Sequence, residues 1–201
     1  MTSGINSSLE PENVSLPANG KAQQRLTLKV RDLHGNPVDL DPNEIRITSK
    51  RTKRSANASV VSAFERQSAG EYAATLTAGT QPTMFTIAPS ARDITLATTH
   101  VTLTVDASSA VISSLVVETN NAVANGKATN GVTVTVTDAS GHRVPDVQIQ
   151  LRVDNDAVIS ATAFTDVQGE AKVSLTSVRA GNTTVTANIK GSSAHQVTLV
   201  F

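Results

Sequence analysis

The fold is decided by one stretch of the sequence, Val132-Thr133-Val134-Thr135-Val136-Thr137-Asp138. Valine and threonine alternate along it. Because successive side chains of a strand point to opposite faces, this period of two predicts a strand with its valines in a core and its threonines facing solvent. Asp138 stands three residues before Gly141, a spacing typical of a tight turn in which the carboxylate caps the backbone and glycine takes a positive φ.

The same pattern occurs earlier in the chain, as part of an internal repeat. Residues 5–22 match residues 111–128 at an offset of 106, and the register continues without a gap to Val38 and Val144. The offset then falls to 98 or 99 and ends at 96, where residues 101–103 align with residues 197–199. The repeat predicts two tandem domains, residues 1–109 and 110–201.

Each copy is expected to form a β-sandwich with almost no helix, because short alternating runs are separated by turn signals. In the second copy the predicted strands are Leu115–Thr119, Val132–Asp138, Val147–Val153, Ala157–Ala161, Ala171–Thr176, Thr183–Ile189 and Gln196–Phe201. The predicted core residues are Val134, Leu151, Leu175, Val185 and Leu199, with Leu28, Ile47, Leu76 and the single tyrosine, Tyr72, in the first copy.

The composition argues against two classes of function, nucleic-acid binding and catalysis. Threonine, valine and serine number 26, 24 and 20 of 201 residues, which suits half-solvated strands. The net charge is zero and aromatic residues make up 2% of the chain, so neither an electrostatic field nor stacking platforms indicate nucleic-acid binding. There is no cysteine, and no Gly-x-Ser-x-Gly motif marks a nucleophile. The chain is predicted not to be an enzyme, and no cofactor is predicted.

Separated elements of the second copy together resemble a bacterial group 1 immunoglobulin-like domain. They are Ala124-Asn125-Gly126-Lys127, the run from Val132 to Gly141, Thr165-Asp166-Val167-Gln168-Gly169 with Leu175-Thr176-Ser177, and residues 180–187. The first copy is similar at Ala18-Asn19-Gly20 and at residues 32–38. It departs later, where Gln67-Ser68-Ala69-Gly70 replaces the Thr-Asp that precedes the glycine, and it is identified as a divergent member of the same class.

The resemblance is to domains of the intimin and invasin family of adhesins, and it implies a function. Two such domains would form an elongated rod in the extracellular part of a bacterial outer-membrane protein, anchored by a β-barrel that this chain lacks. The implied partner is a host cell-surface or matrix protein or glycan, or none for this fragment, with a monomer expected. The family's lectin-like tip carries a disulfide. This chain has no cysteine, so the family's receptor specificity is not carried over.

The first residues, Met1-Thr2-Ser3-Gly4, carry no signal peptide, and no apolar run is long enough to span a bilayer. Two alternatives follow, a cytosolic protein or a piece of a longer exported one. Because the repeat begins at Ile5, the second is favoured.

The candidate metal ligands in the sequence are histidines and acidic residues. The four histidines, His34, His100, His142 and His195, are expected in loops or beside the last strands, as like pairs about a domain length apart. Two acidic groups are weak candidates for calcium because neither has the full loop spacing. They are Asp39, Asp41 and Glu44 in the first copy, and Asp154 and Asp156 in the second. No metal site is predicted.

One run of the sequence is strongly basic although the chain as a whole has no net charge. It is Lys50-Arg51-Thr52-Lys53-Arg54. It falls in a connection that is eight residues longer in the first copy than in the second. Lys50, Arg51, Lys53 and Arg54 together could contact a sulfated glycan, a lipopolysaccharide or an acidic receptor. The alternative is a solvated loop that tolerates insertion.

The sequence therefore predicts an all-β adhesin fragment that acts as a spacer and, through this basic run, as a binding surface. The alternative is an accessory module of a secreted enzyme or of a phage tail protein.

Overall fold

The computed structural model describes residues 5–49 and 58–201. It divides the chain into two compact units, Met1–Val105 and Asp106–Phe201, called here the first and second domains. Each is built from two packed sheets, as alternating apolar positions require. The only helical elements in the described residues are two single 3₁₀ turns, Pro42–Glu44 and Ala107–Ser109.

Residues 5–49 and 58–105 of the first domain contain ten strands. They are β1 (Ile5–Glu10), β2 (Asn13–Pro17), β3 (Gln23–Asp32), β4 (Arg46–Ser49), β5 (Val60–Val61), β6 (Glu65–Ser68), β7 (Glu71–Thr77), β8 (Thr83–Ala91), β9 (Ile94–Thr95) and β10 (Thr99–Thr104). One sheet has the order β1-β3-β7-β5, with β6 also on β7, and the other has the order β2-β10-β8-β4, with β9 also on β8. The β2–β10 pair is parallel and the others are antiparallel.

The second domain contains eight strands. They are β11 (Val111–Thr119), β12 (Asn130–Thr137), β13 (Gln148–Val153), β14 (Val158–Ile159), β15 (Thr162–Phe164), β16 (Glu170–Thr176), β17 (Asn182–Asn188) and β18 (His195–Val200). The two sheets have the orders β11-β12-β16-β14 and β15-β13-β17-β18. The single strand predicted at 157–161 is wrong: β14 ends at Ile159, and the chain then crosses to the other sheet, where β15 begins at Thr162.

The predicted cores are confirmed with one exception. Tyr72 is fully buried, and its hydroxyl donates a hydrogen bond of 2.9 Å to the carbonyl of Leu40. Ile47 is only partly buried, because it lies on edge strand β4. The other core residues named from the sequence are at most 3% exposed.

The threonines of β12 differ from expectation. Thr133 and Thr135 lie on the face opposite the valines, yet they are only 6% and 8% exposed. Their strand is central, between β11 and β16, and Thr133 stands between Val116 and Lys172 across the sheet. Side chains directly opposite lie close together on a sheet face, so long neighbours cover a short central residue.

The repeat is visible in the backbone. Gly70 and Gly169 have φ angles of +66° and +67°, a region favoured by glycine. A Cβ added to them would lie 2.6 Å from the carbonyl oxygen of Val30 and 3.0 Å from that of Val136, respectively. Both positions therefore require glycine for the same reason, close approach to the strand that carries the alternating pattern.

Candidate functional site

The four predicted site residues, Lys50, Arg51, Lys53 and Arg54, lie outside the described residues. The described chain stops at Ser49, the end of β4, and resumes at Ala58, just before β5. In sequence the basic run falls between β4 and β5, which belong to different sheets.

Two depressions lie near the point where the described chain resumes. The first has a volume of about 220 Å³, and the described residues that line it are uncharged, namely Gly20, Ala58, Val60, Thr77, Ala78, Gly79 and Thr80. The second, of about 420 Å³, is lined by Arg25, Ser62, Glu65, Gln67, Ala73, Ala74 and Thr75. In it Arg25 Nη2 donates a 2.9 Å hydrogen bond to Gln67 Oε1, and Glu65 supplies an opposite charge. Among its described lining residues, neither depression carries a net positive charge.

The acidic residues considered as calcium ligands in the first domain have other partners. Arg66 donates from Nε and Nη2 to the two carboxylate oxygens of Asp39, at 3.1 and 2.8 Å, and the N–H of Gly70 donates to the same group at 2.8 Å. The Arg66 hydrogen bond, followed by that of Gly70, holds the pKa of Asp39 below its ordinary value. Asp41 caps the turn at Pro42–Glu44, and Glu44 pairs with Arg92 at 3.1 Å.

The two acidic candidates of the second domain also bind different partners. Asp154 accepts a hydrogen bond from the backbone N–H of Thr184, whereas Asp156 pairs with Arg179 at 3.4 Å. Among residues 5–49 and 58–201, no three histidine or acidic side chains are grouped so that they could hold a metal ion.

The histidines occupy unlike environments. His34 is exposed, and His142 lies against the carboxylate of Asp138, with its Nδ1 3.1 Å from Oδ2. His100 Nδ1 is 3.2 Å from the hydroxyl of Thr86. His195 is the first residue of β18. In the first domain the equivalent of His142 is Asn36, since each donates its backbone N–H to the aspartate four residues earlier.

Sequence reasoning missed the full role of Asp138, whose side chain is completely buried. It accepts hydrogen bonds from the N–H groups of Ser140 and His142, as a turn cap does, and also from the N–H of Asp106 at 3.3 Å. Burial raises the pKa of Asp138, but the donated hydrogen bonds outweigh it and hold the pKa below its ordinary value. The spacing to Gly141 predicted the turn, but no local signal pointed to Asp106.

The start of the second domain is thus fastened to its own turn. The N–H of Ala139 donates to the Ser109 hydroxyl at 3.1 Å, next to the Asp106–Asp138 bond. Residues 106–109 therefore belong structurally to the second domain.

Comparison with known protein families matches both domains. Residues 3–106 match the family described as invasin, domain 3, and residues 112–201 match the bacterial Ig-like domain (group 1). The chain belongs to the invasin domain 3 family through its first half and carries a group 1 bacterial Ig-like domain in its second. No curated protein sequence matches the chain.

Solved structures share the fold. Invasin, a bacterial integrin-binding protein, superposes with a TM-score of 0.66 at 17% identity, covering 97% of this chain and 39% of that one. InvD of Yersinia pseudotuberculosis gives 0.61 at 23% identity, covering 99% and 58%. The adhesin FdeC of Escherichia coli gives 0.60 at 20% identity, covering 100% and 64%. The chain thus spans less than two thirds of each of these three structures.

Within the described part of the chain, no helix has the length and apolar character needed to cross a membrane.

Proposed function

We propose that this chain is an extracellular piece of a bacterial surface adhesin, in which the two Ig-like domains act as a spacer. The observation that carries the proposal is the tandem itself, an invasin-type domain over residues 3–106 followed at once by a group 1 bacterial Ig-like domain over residues 112–201. A spacer is built by repeating one autonomous module. The expected location is the cell surface, as part of an outer-membrane protein.

The connection between the domains supports a spacer role. Asp106 and Ser109 are hydrogen-bonded to the turn at Asp138 and Ala139, so the second domain begins without a free tether. Ordering these residues within the folded domain leaves fewer free backbone dihedrals in the connection.

We further propose that the basic run makes the first domain a contact surface for an anionic partner on a host cell. Four cations within five residues sum their potentials, whereas the net charge of the whole chain is zero. The proposed partner is a sulfated glycan or an acidic surface protein. An accessory module of a secreted enzyme or phage tail protein is the alternative function.

The test is binding of the 201-residue chain to immobilised heparin and to host cells at increasing salt. Binding through the basic run should weaken steeply between low and physiological salt, because exposed charges are screened beyond about 8 Å at 0.15 M. Changing Lys50, Arg51, Lys53 and Arg54 together to serine should abolish it.

A matched control replaces four exposed cations elsewhere, Lys21, Arg46, Lys127 and Lys190, with serine. It makes the same change in net charge but removes no cluster, so binding should persist. If the two quadruple variants bind equally, the basic run is a tolerated insertion and the chain is a spacer only.

A further inference from the structure

The last strand of the second domain has an unpaired edge. Among the strands that the structure describes, β18 pairs with β17 alone and ends its sheet. Phe201 and Gly181 exchange two backbone hydrogen bonds. The backbone N–H and C=O groups of the odd-numbered residues of β18 therefore point toward β17, and those of the even-numbered residues point away from it. The backbone N–H and C=O groups of Gln196, Thr198 and Val200 therefore point away from the sheet.

Only the end of this edge is covered. The N–H of Val200 donates to the side chain of Asn120 at 2.7 Å, and its carbonyl accepts from the N–H of Asn121 at 3.0 Å. The outward backbone groups of Gln196 and Thr198 make no hydrogen bond within the described residues, and both residues are exposed.

The first domain shows what fits such an edge. Its strand β10 is the counterpart of β18, with Thr102 at the position of Thr198, and it is covered along its length by β2 in parallel pairing. The N–H of His100 donates to the carbonyl of Glu12, and the carbonyl of Thr104 accepts from the N–H of Ala18, both at 2.8 Å. Thr102 is paired with Ser15 between them.

The two domains differ because the first strand follows a different path. In the first domain β1 ends at Glu10, and the chain crosses to the other sheet to form β2. In the second domain β11 continues in its own sheet to Thr119, and residues 120–124, which precede the turn at Asn125, form no strand on β18.

The missing strand also leaves apolar side chains uncovered. Val101 and Leu9 of the first domain are each 1% exposed, and Val14 of β2 is 5% exposed beside them. Their counterparts in the second domain, Val197 and Leu115, are partly exposed. The flank between β11 and β18 thus offers both unpaired backbone groups and an apolar lining.

We propose that the edge of β18 binds an extended segment of another polypeptide as an added strand, parallel to β18. The segment is about five residues long and carries uncharged apolar side chains at its second and fourth positions, as Val14 and Leu16 do in β2. Main-chain hydrogen bonds to Gln196 and Thr198 hold it, and the partly exposed Val197 and Leu115 receive its apolar side chains. This surface does not involve the basic run and stands independently of the role proposed above.

The experiment uses the 201-residue chain, isotopically labelled, titrated with a peptide of residues 11–19, the sequence that covers the equivalent edge. The backbone amide resonances of Gln196 and Thr198 should shift, with saturation reached at or below about 1 mM peptide. Absence of shifts at that concentration would overturn the proposal.

Two substitutions at one position separate backbone from side-chain recognition. Thr198→Pro removes an outward N–H that has no partner in the domain, a position where an edge strand tolerates proline, and should weaken peptide binding at least tenfold. Thr198→Val keeps the N–H and should change the affinity less than threefold. Equal binding by both variants would contradict the proposal.

A second variant leaves the sequence of β18 unchanged. Residues 115–123 are replaced by the nine residues 9–17, which should let the second domain cover its own edge. Peptide binding should then be lost and the Thr198 amide should exchange more slowly with solvent. Self-association of the parent chain that Thr198→Pro abolishes would instead identify the occupant as a second copy and overturn the assignment to a different polypeptide.

Discussion

The two domains share an alternating strand, a glycine turn and a core, but they close one side of the sandwich differently. The first seals the outer edge of β10 with parallel strand β2, whereas the second covers only Val200 of β18, by hydrogen bonds from Asn121 and Asn130 and to Asn120. The comparison shows that the sheet face, which buries apolar side chains, tolerates little change, while the edge, which exposes backbone groups to water, is free to vary.

A second difference lies where the glycine turn meets the neighbouring loop. In the first domain an exposed ion pair, Asp39–Arg66, ties β6 to the loop after β3. In the second, Thr165 takes the place of Arg66; it is 2% exposed, and its hydroxyl donates to the carbonyl of Val144 at 2.8 Å and accepts from the N–H of Val147 at 2.9 Å. A buried hydroxyl thus replaces a solvated ion pair in the same architecture.

The largest effect is expected from a substitution in the hydrophobic core, which each domain builds from its own equivalent residues. Leu175→Ala removes a side chain that is 1% exposed and should cost about 2–5 kcal/mol of unfolding free energy. We propose that the domains unfold independently, so in chemical denaturation only the second domain's transition should shift. Leu76→Ala should shift only the first, and a shared shift would show that the domains unfold as one unit.

The buried hydroxyl should matter more than the exposed ion pair. Thr165→Val leaves the Val144 carbonyl and the Val147 N–H without their partner inside the domain, and should cost roughly 1–3 kcal/mol. Arg66→Gln breaks a solvent-exposed ion pair. It should lower the melting temperature of the first domain by less than Thr165→Val lowers that of the second domain. The reverse order in calorimetry would contradict the view that the two links differ in burial.

Acid should weaken the second domain through Asp138. Its pKa is lower in the folded than in the unfolded chain, so the stability that it contributes is present above about pH 4, the unfolded value, and is lost as the pH falls through the folded pKa. Asp138→Asn should cost about 1–2 kcal/mol at neutral pH and flatten the acid limb of a stability–pH curve. Asp32→Asn is the matched change in the first domain.

That control has a clear expectation. The pKa of Asp32 is also lowered, chiefly by the side-chain amide of Asn36, but Asp32 is more accessible to solvent than Asp138. Its substitution should therefore have the smaller effect on the acid limb. Equal effects would mean that burial does not strengthen the hydrogen bonds that Asp138 accepts.

The smallest change concerns a polar atom without a partner. The Thr133 hydroxyl is buried and, within the described residues, makes no hydrogen bond. Thr133→Val should be neutral or stabilise the domain by up to about 1 kcal/mol, because it removes an unsatisfied group and keeps the shape. Thr27→Val, at the equivalent position of the first domain, should have no such benefit. Destabilisation by Thr133→Val would show that the hydroxyl binds a group outside the chain.

The strand pattern and the core could be predicted because period and apolar identity are local properties of the sequence. Val134 and Leu175 follow directly from alternation, and the family resemblance is confirmed. The solvent exposure of Thr133 could not be predicted, because it depends on the neighbours that cover it across the sheet.

The sequence did not predict where the chain crosses from one sheet to the other. Residues 13–17 and 119–123 are aligned without a gap, yet only the first set forms a strand on the last strand of its domain. Which edge a segment joins depends on backbone geometry on both sides of it, and alternation specifies only its face. The basic run remains a prediction, because it lies outside the described residues.

Hydrogen exchange of individual amides in the 201-residue chain tests the central difference between the domains most directly. The amide of Thr102 lies in the ladder between β10 and β2, whereas the amide of Thr198 faces solvent from the open edge of β18. We predict that the Thr198 amide exchanges within the fastest class of strand amides while the Thr102 amide is protected with the core of its domain. Equal protection of the two amides would contradict the account.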